Sequence, residues 1–320
     1  MWKVLETAKN VAEKSRQVRI DKKALGRFSR KLVEDRVKVP PWNCLYHFCG
    51  GSKEMVSYLL VLDSLNFCFW PAPGKDTWEI EYQSRRLSGY YALAASLKGG
   101  IESGIPITKA DYLAELSLDK LEQILGGQGE LQLLEHRLTI LNELGRLLVG
   151  EYGGDAHRLV ESAGKSGLRL AQLLANKLSS FRDTSEYQGH KVFFYKRAQI
   201  FVADLYGAFD GKDWGSFVDM DKLTAFADYK LPQALRHLDI LHYARSLAQK
   251  VDQKIFLEAG SLEEVEIRAN TIWAVELISK ELALLRKGLR AFEVDWILWN
   301  MSQDPAFKTK PYHRTVSIFY

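Results

Sequence analysis

Apolar residues recur along most of this chain at the three- and four-residue spacing of an α-helix. One stripe between positions 131 and 149 consists of seven leucines: Leu133, Leu134, Leu138, Leu141, Leu144, Leu147 and Leu148. Such a stripe predicts a helix that buries one face. The same spacing predicts another helix over residues 52–62, which begins at Ser52.

A capping box marks the start of a third helix. Ser261 is placed to accept a hydrogen bond from an early backbone N–H, and Glu264 is placed to reach back toward the helix start. This helix is expected to end at positions 287–288, where a lysine and a glycine follow the apolar run. Helices are also expected over residues 192–209 and from Pro232, since proline is favoured at the first helical position.

Signals for β-strands are few. Residues 77–82 alternate between polar and apolar, and residues 315–320 are β-branched and aromatic. These strands are too scarce for an alternating βαβ pattern, and the chain has neither a GxGxxG nor a GxxxxGK[ST] phosphate loop. The sequence therefore predicts a mainly α protein with a small β element. We expect one domain over residues 1–320, with two basic helices of residues 1–40 packed on it.

The composition is that of an ordinary globular protein. The chain has 320 residues, of which 47% are hydrophobic and 26% charged. The chain has no run of about 18 apolar residues, so no membrane span is expected. Its first residues lack the apolar core of a secretory signal. We therefore expect an intracellular, cytoplasmic protein.

The charge is unevenly distributed. Of the net +4, residues 1–40 carry a local +7, from 12 Lys+Arg and 5 Asp+Glu, which leaves −3 for the remainder. One interpretation is attraction to phosphate or RNA. The other, which we prefer, is a pair of amphipathic helices with solvated charged faces.

Three cysteines, Cys44, Cys49 and Cys68, are an odd and low count. This argues against a disulfide framework and fits a reducing compartment. Cys44, His47 and Cys49 lie close together, but no second group of Cys or His completes the four ligands of a zinc site. We therefore expect small core cysteines and no metal.

Lys196 lies near the start of the predicted helix 192–209, among mostly apolar residues. Burial would lower the pKa of such a lysine and let it anchor a phosphate or steer an anion. Alternatively, its stem packs and its ammonium stays in water. Arg197 and Asp204 are seven residues apart on one face and are expected to pair with each other.

Asp228 is flanked by Phe226 and Tyr229. If Pro232 is the first helical residue, Leu231 is the cap, so capping does not explain the aspartate. The two rings suit stacking on a base, and they equally suit the core. A buried carboxylate without a capping role is commonly paired or catalytic, and both interpretations stay open here.

A third cluster lies near position 295. Trp296 and Asn300 are four residues apart and share one helix face, and Asp295 is adjacent to it. This set suits a flat ligand with polar edges, or a helix end with two core tryptophans. His47 lies in an aromatic run followed by glycines, which fits a core histidine or the rim of a cleft.

The order of several segments resembles the queuosine salvage family. They read PPWNCLYHF, LNFCFWPAPGKDTWEIEY, SGYYALAASLKGGIESGIPIT, FYKRAQIFVADLYGAF, LTAFADYKLPQALRHL and VDWILWN, and the resemblance spans about residues 40–320. The resemblance implies a queuosine 5′-phosphate N-glycosylase, which hydrolyses the bond between ribose and the 7-deazaguanine base queuine. It also implies an all-helical core similar to that of DNA glycosylases, a small-molecule nucleotide substrate, and no metal or redox cofactor.

The resemblance assigns roles to the candidates above. Asp228 matches the catalytic carboxylate, as nucleophile or as stabiliser of the oxocarbenium ion, and Lys196 matches a lysine of the active site. The implied substrate-binding residues are His47, Phe226, Tyr229, Asp295, Trp296 and Asn300. Position 300 is Asn where the family carries an acid, which implies an altered or weaker contact.

Chemical reasoning agrees with this assignment. Queuine has carbon where guanine has N7, so protonation there cannot activate the leaving base, and more of the catalysis falls on the carboxylate. The substrate phosphate would be held by Lys196 or by the N-terminus of the Pro232 helix. Two other hypotheses are a non-catalytic binder of RNA or a modified nucleobase, and a helical interaction scaffold. No stable nucleic-acid complex is expected.

Overall fold

The structure is a computed structural model that describes residues 2–50 and 52–320. These residues form fourteen α-helices: α1 (Lys3–Lys14), α2 (Lys22–Glu34), α3 (Lys53–Ser64), α4 (Gly89–Glu102), α5 (Ala110–Ala114), α6 (Leu118–Leu125), α7 (Leu134–Tyr152), α8 (Ala156–Ser162), α9 (Gly167–Lys177), α10 (Lys196–Ala208), α11 (Lys230–His237), α12 (Arg245–Asp252), α13 (Leu262–Leu284) and α14 (Ala291–Met301). None of them combines the length and apolar character needed to cross a lipid bilayer.

The β element consists of three separate antiparallel pairs of short strands. The pairs are β1 (Val18–Ile20) with β6 (Leu241–Tyr243), β2 (Glu79–Tyr82) with β3 (Arg85–Ser88), and β4 (Thr184–Tyr187) with β5 (His190–Phe193). The prediction of a mainly α protein with a small β element is therefore confirmed.

Local signals located several helices correctly. The leucine stripe lies on α7, and Ser52 is the N-cap residue of α3. Ser261 is the N-cap of α13, and its side chain accepts from the backbone N–H of Glu264 at 3.3 Å. The carboxylate of Glu264 reaches back to the N–H of Gly260 rather than to that of Ser261. The helix ends at Leu284, slightly before the predicted stop.

Two predictions of elements are wrong. Residues 315–320 form no strand, since they have no neighbouring strand to pair with; the buried Tyr320 instead anchors this end by accepting from the N–H of Cys68 at 3.0 Å. The helix predicted over 192–209 begins only at Lys196, because residues 192–193 belong to β5. Tyr195 makes the turn between strand and helix in the left-handed conformation, with φ of 49°.

The buried apolar side chains form two large clusters. The first includes residues of α1, α3, α4, α7, α9 and α10, and the second includes residues of α2, α11, α12 and α14. Helix α13 belongs to both: Val265 and Ile272 lie in the first cluster, and Val275 and Ile278 in the second. The basic helices α1 and α2 pack against α13, and α1 buries Val4, Ala8 and Val11 at helical spacing.

Candidate active site

A cavity of about 620 Å³ lies where α4 and α10 of the first cluster meet α14 of the second. Its volume falls within the range of about 300–1,000 Å³ that is typical of small-molecule sites. Seven of the predicted site residues line it: His47, Lys196, Phe226, Asp228, Asp295, Trp296 and Asn300. Tyr229 is not among the lining residues, because it faces a smaller adjoining cavity and packs on Tyr312 with ring centroids 4.8 Å apart.

Asp228 has one oxygen that is held and one that is free. Its Oδ1 accepts from the N–H groups of Lys230 at 2.8 Å and Leu231 at 2.9 Å. Helix α11 begins at Lys230 with Tyr229 as its N-cap residue, so the predicted cap at Leu231 is wrong. Asp228 lies outside the N-cap position, as predicted, but its carboxylate still binds the first two N–H groups of the helix. The proline signal placed the helix start too late, because proline is tolerated throughout the first turn, where N–H groups lack intrahelical partners. No described residue donates to Oδ2, although the side chain is only 7% exposed.

Asp228 and Lys196 each shift the pKa of the other. Burial raises the pKa of Asp228, and the nearby ammonium of Lys196 opposes that rise. Burial also lowers the pKa of Lys196 to about 8, against the attraction of Asp228. Lys196 is 4% exposed and its Nζ donates to the carbonyl of Asn66 at 3.0 Å, so the alternative of an ammonium in open water is wrong.

The segment that carries Phe226 and Asp228 has no regular secondary structure, yet it is fixed from both sides. The N–H of Phe226 donates to Asp295 Oδ1 at 2.7 Å. The carbonyl of Ala227 accepts from Arg268 Nε at 3.0 Å. These bonds hold the backbone on either side of the aromatic ring and the carboxylate, so both side chains are presented to the cavity in one arrangement.

A buried ion cluster connects this segment to Lys196. Arg268 donates to both oxygens of Asp183, at 2.9 and 2.6 Å, and approaches Glu264 at 3.5 Å. Oδ2 of Asp183 also accepts from the N–H of Lys196 at 3.1 Å. One cluster therefore positions both the start of α10 and, through Ala227, the segment of Asp228.

Asp295 repeats the pattern of one held and one free oxygen. Its Oδ1 accepts from Phe226, and no described residue donates to its Oδ2. Burial raises the pKa of this carboxyl well above its usual range, and the negative charge of Asp228 adds to the rise. A cationic group of a ligand entering the cavity would favour its ionised form.

Trp296 forms part of the cavity wall at Gly207 of α10. A Cβ atom at Gly207 would lie 3.1 Å from the indole ring, so the missing side chain is what allows this close approach. The exposed Asn300, one turn further along α14, donates from Nδ2 to the carbonyl of Trp296 at 2.8 Å. Its amide nitrogen is thus engaged within the helix.

His47 is buried at the cavity and belongs to a hydrogen-bonded chain. Its Nδ1 lies 2.7 Å from the carbonyl of Asn43, which only accepts, so Nδ1 carries the proton. Its Nε2 lies 3.0 Å from the hydroxyl of Tyr90, which is also 3.3 Å from Asp204 Oδ2. Burial lowers the pKa of His47 to about 4 and raises that of Asp204 to about 7. The histidine is therefore neutral at physiological pH.

Asp204 is a cavity residue, and its predicted pairing with Arg197 is wrong. Arg197 is buried and donates to the backbone carbonyls of Ser64 and Ser180 instead. On α10, Lys196, Ile200 and Asp204 all face the cavity. Lys196 and Ile200 are four residues apart, as are Ile200 and Asp204, so all three share one face of the helix. This spacing is the signal in the sequence that points to Asp204.

The expectation of reduced core cysteines is wrong for two of the three. Cys44 and Cys49 form a disulfide that closes the loop around His47, whereas Cys68 is free and buried. The loop brings their Cα atoms to 5.7 Å, within the range that a disulfide requires. Since Cys44 also lines the cavity, the disulfide lies at its wall.

Comparison with known proteins adds to this geometry. A sequence model described as "Queuosine salvage protein" matches residues 46–320. A queuosine 5′-phosphate N-glycosylase/hydrolase of Sphaerobacter thermophilus is 46% identical over 317 residues, covering 99% of this chain and 97% of that protein. Proteins with the same description from Mus musculus and Dictyostelium discoideum are 36% and 33% identical, and each alignment covers at least 98% of both chains.

Proposed function

Since the chain belongs to the queuosine salvage protein family, we infer that it is an N-glycosylase that hydrolyses queuosine 5′-monophosphate and releases queuine. The roles proposed for its residues rest mainly on one observation: Asp228 is a buried carboxylate with one free oxygen beside a 620 Å³ cavity. A non-catalytic binder of RNA or a nucleobase is not favoured.

In the proposed reaction the bond between C1′ of the ribose and the base nitrogen breaks, and its electron pair leaves with the base. Oδ2 of Asp228 stabilises the positive charge that develops on the sugar, or attacks C1′. Water then supplies the oxygen of the new C1′ hydroxyl and, after proton transfer, the proton of the released base. The N–H groups of Lys230 and Leu231 fix the carboxylate beforehand, so it need not reorganise during cleavage.

The larger cavity suits the base. Phe226 and Trp296 offer ring faces, and Asp295 and Asp204 offer carboxylates. Queuine carries a secondary amine that is cationic at neutral pH, and a carboxylate binds such a group by a charge-assisted hydrogen bond. We assign that contact to the free oxygen of Asp295, which burial otherwise leaves without a partner.

Direct assay tests the function. Purified protein incubated with queuosine 5′-monophosphate is expected to release free queuine and ribose 5-phosphate in equal amounts, measured by liquid chromatography with mass detection. Tight binding of the nucleotide without either product would contradict hydrolysis and favour the non-catalytic binder.

Replacement of Asp295 by asparagine is expected to weaken queuine binding by about 10- to 100-fold, the range for losing a hydrogen bond to a charged group. Asparagine keeps Oδ1 for the N–H of Phe226, so mainly the charge is lost. Calorimetry should show a much smaller effect on 7-methyl-7-deazaguanine, which lacks the amine. Equal losses for both ligands would contradict the assignment of Asp295 to the amine.

Replacement of Lys196 by methionine is expected to move the acid limb of the kcat/KM profile to higher pH. Asp228 acts as a carboxylate, so activity is lost on acidification through its pKa, which the charge of Lys196 lowers. Without that charge the pKa rises, and the loss begins at higher pH. The matched control is Lys212→Met, whose side chain is 74% exposed. An acid limb that stays in place in Lys196→Met would contradict the proposed coupling.

A further inference from the structure

One wall of the larger cavity is a loop without regular secondary structure. Residues 39–44 and His47 line the cavity, and they lie between the end of α2 and the start of α3. Segments that have no helix or strand of their own are among the first parts of a protein to open locally. The contacts within and around this loop therefore decide whether the cavity wall is formed.

The non-covalent contacts of the loop are few, and several lie at the surface. Nζ of Lys98 on α4 donates to the carbonyls of Cys44 at 3.0 Å and Leu45 at 3.1 Å. The N–H of His47 donates to the carbonyl of Asn43 at 3.3 Å. Both bonds from Lys98 are exposed to solvent, where water competes for the same groups and the net stabilisation is small.

The disulfide adds a covalent contact between the cavity wall and the core. Cys44 is exposed and lines the cavity, whereas Cys49 is partly buried and packs against the first apolar cluster. The bond closes a short ring around His47, since its cysteines are five positions apart. A cross-link stabilises a whole fold less when the loop it closes is short. Its main effect is therefore local, on the shape of this loop.

The disulfide also lies where a reductant can reach it. Cys44 is exposed at the cavity rim, so a thiolate in solution has access to this end of the bond. Exposed disulfides are typically the labile or regulatory ones, whereas structural disulfides resist reduction. The third cysteine, Cys68, is free and buried, which separates it from this exchange.

We propose that Cys44 and Cys49 form a reversible thiol–disulfide site whose reduction opens this wall of the larger cavity. A thiolate of a dithiol reductant attacks Sγ of Cys44, the S–S bond breaks, and Sγ of Cys49 leaves with the electron pair and takes up a proton. The second thiol of the reductant then attacks the mixed disulfide and releases Cys44 as a thiol. The protein gains two electrons and two protons, and the reductant becomes a disulfide.

Reduction frees the loop without removing a side chain from it. The reduced loop visits open arrangements, and only the molecules with the closed wall bind the base tightly. With the closed wall populated about one tenth of the time, the apparent affinity falls about tenfold. Asp228 lies on a separate segment, so turnover at saturating substrate changes much less. This kinetic consequence rests on the proposed function.

The test compares the oxidised chain with the chain reduced by dithiothreitol, with thiols counted by alkylation and mass detection. Reduction is expected to raise KM for queuosine 5′-monophosphate about tenfold, to change kcat much less, and to be reversed by reoxidation. A variant that combines Cys44→Ser with Cys49→Ser should show the higher KM with and without dithiothreitol. The control is Cys68→Ala, which keeps the pair and should keep the response.

An unchanged KM after complete reduction would overturn the proposal, as would a disulfide that dithiothreitol leaves intact in the folded chain. A response to dithiothreitol in the double serine variant would also overturn it. Hydrogen exchange over residues 39–49 gives a measurement that needs no turnover. The N–H of His47 should exchange faster after reduction, whereas exchange in α13 should stay the same. Absence of hydrolysis in every state would refute the proposed function, whereas equal exchange in both states would refute the redox site.

Discussion

Replacement of Asp228 by asparagine is expected to lower kcat by about 10²–10³-fold or more, the cost of removing one preorganised group that stabilises transition-state charge. Asparagine keeps an Oδ1 that accepts from Lys230 and Leu231, so the start of α11 persists. The negative charge at the free oxygen is lost. Binding of queuine and the stability of the fold should therefore change little while turnover collapses.

Single-turnover kinetics, calorimetry with queuine and thermal unfolding together check this expectation. Asp219 is the matched control, because it is also 7% exposed and also accepts a backbone N–H at a helix start, from Gly167 at 2.7 Å. Asp219→Asn should leave kcat nearly unchanged. Wild-type turnover in Asp228→Asn, or an equal loss in both variants, would contradict a catalytic carboxylate at position 228.

Replacement of Asp183 by asparagine is expected to lower the free energy of unfolding by about 3–5 kcal/mol, the cost of leaving a buried charge without its partner. Arg268 is buried and loses the carboxylate that receives two of its N–H groups, and Glu264 at 3.5 Å is a poorer partner. The start of α10 loses the same acceptor at Lys196. Urea denaturation measures the loss.

An exposed ion pair gives the comparison for Asp183. The side chains of Lys31 and Asp35 are 69% and 48% exposed, and an ion pair so screened by solvent contributes little to stability. Asp35→Asn should therefore barely change the midpoint of unfolding. If Asp183→Asn were equally mild, Arg268 would have another compensating partner, and the buried cluster would not hold the segment of Asp228.

Helices whose signals come from residues close together in the sequence could be predicted from it. The stripe of α7 and the cap of α13 depend on neighbours within a few residues, and both were located from spacing alone. The pairing of Asp183 with Arg268 joins residues 85 positions apart, and no periodicity encodes it. The failed strand at 315–320 has the same cause, because strand formation requires a partner that local composition cannot specify.

The candidate site was predictable to a similar extent. The aromatic surroundings of Asp228 and the family resemblance selected seven side chains that line one cavity. Their polar partners could not be predicted, since they come from distant elements: Asn66 for Lys196, and Tyr90 for His47. The roles of these residues in binding and catalysis stay predictions until the variants above are measured.

The unequal engagement of the two oxygens of Asp228 has a consequence for the orientation of this carboxylate. Rotation that turns Oδ1 toward the cavity would break the hydrogen bonds from Lys230 and Leu231, so such a flip is disfavoured. The same oxygen atom therefore faces each molecule that enters the cavity.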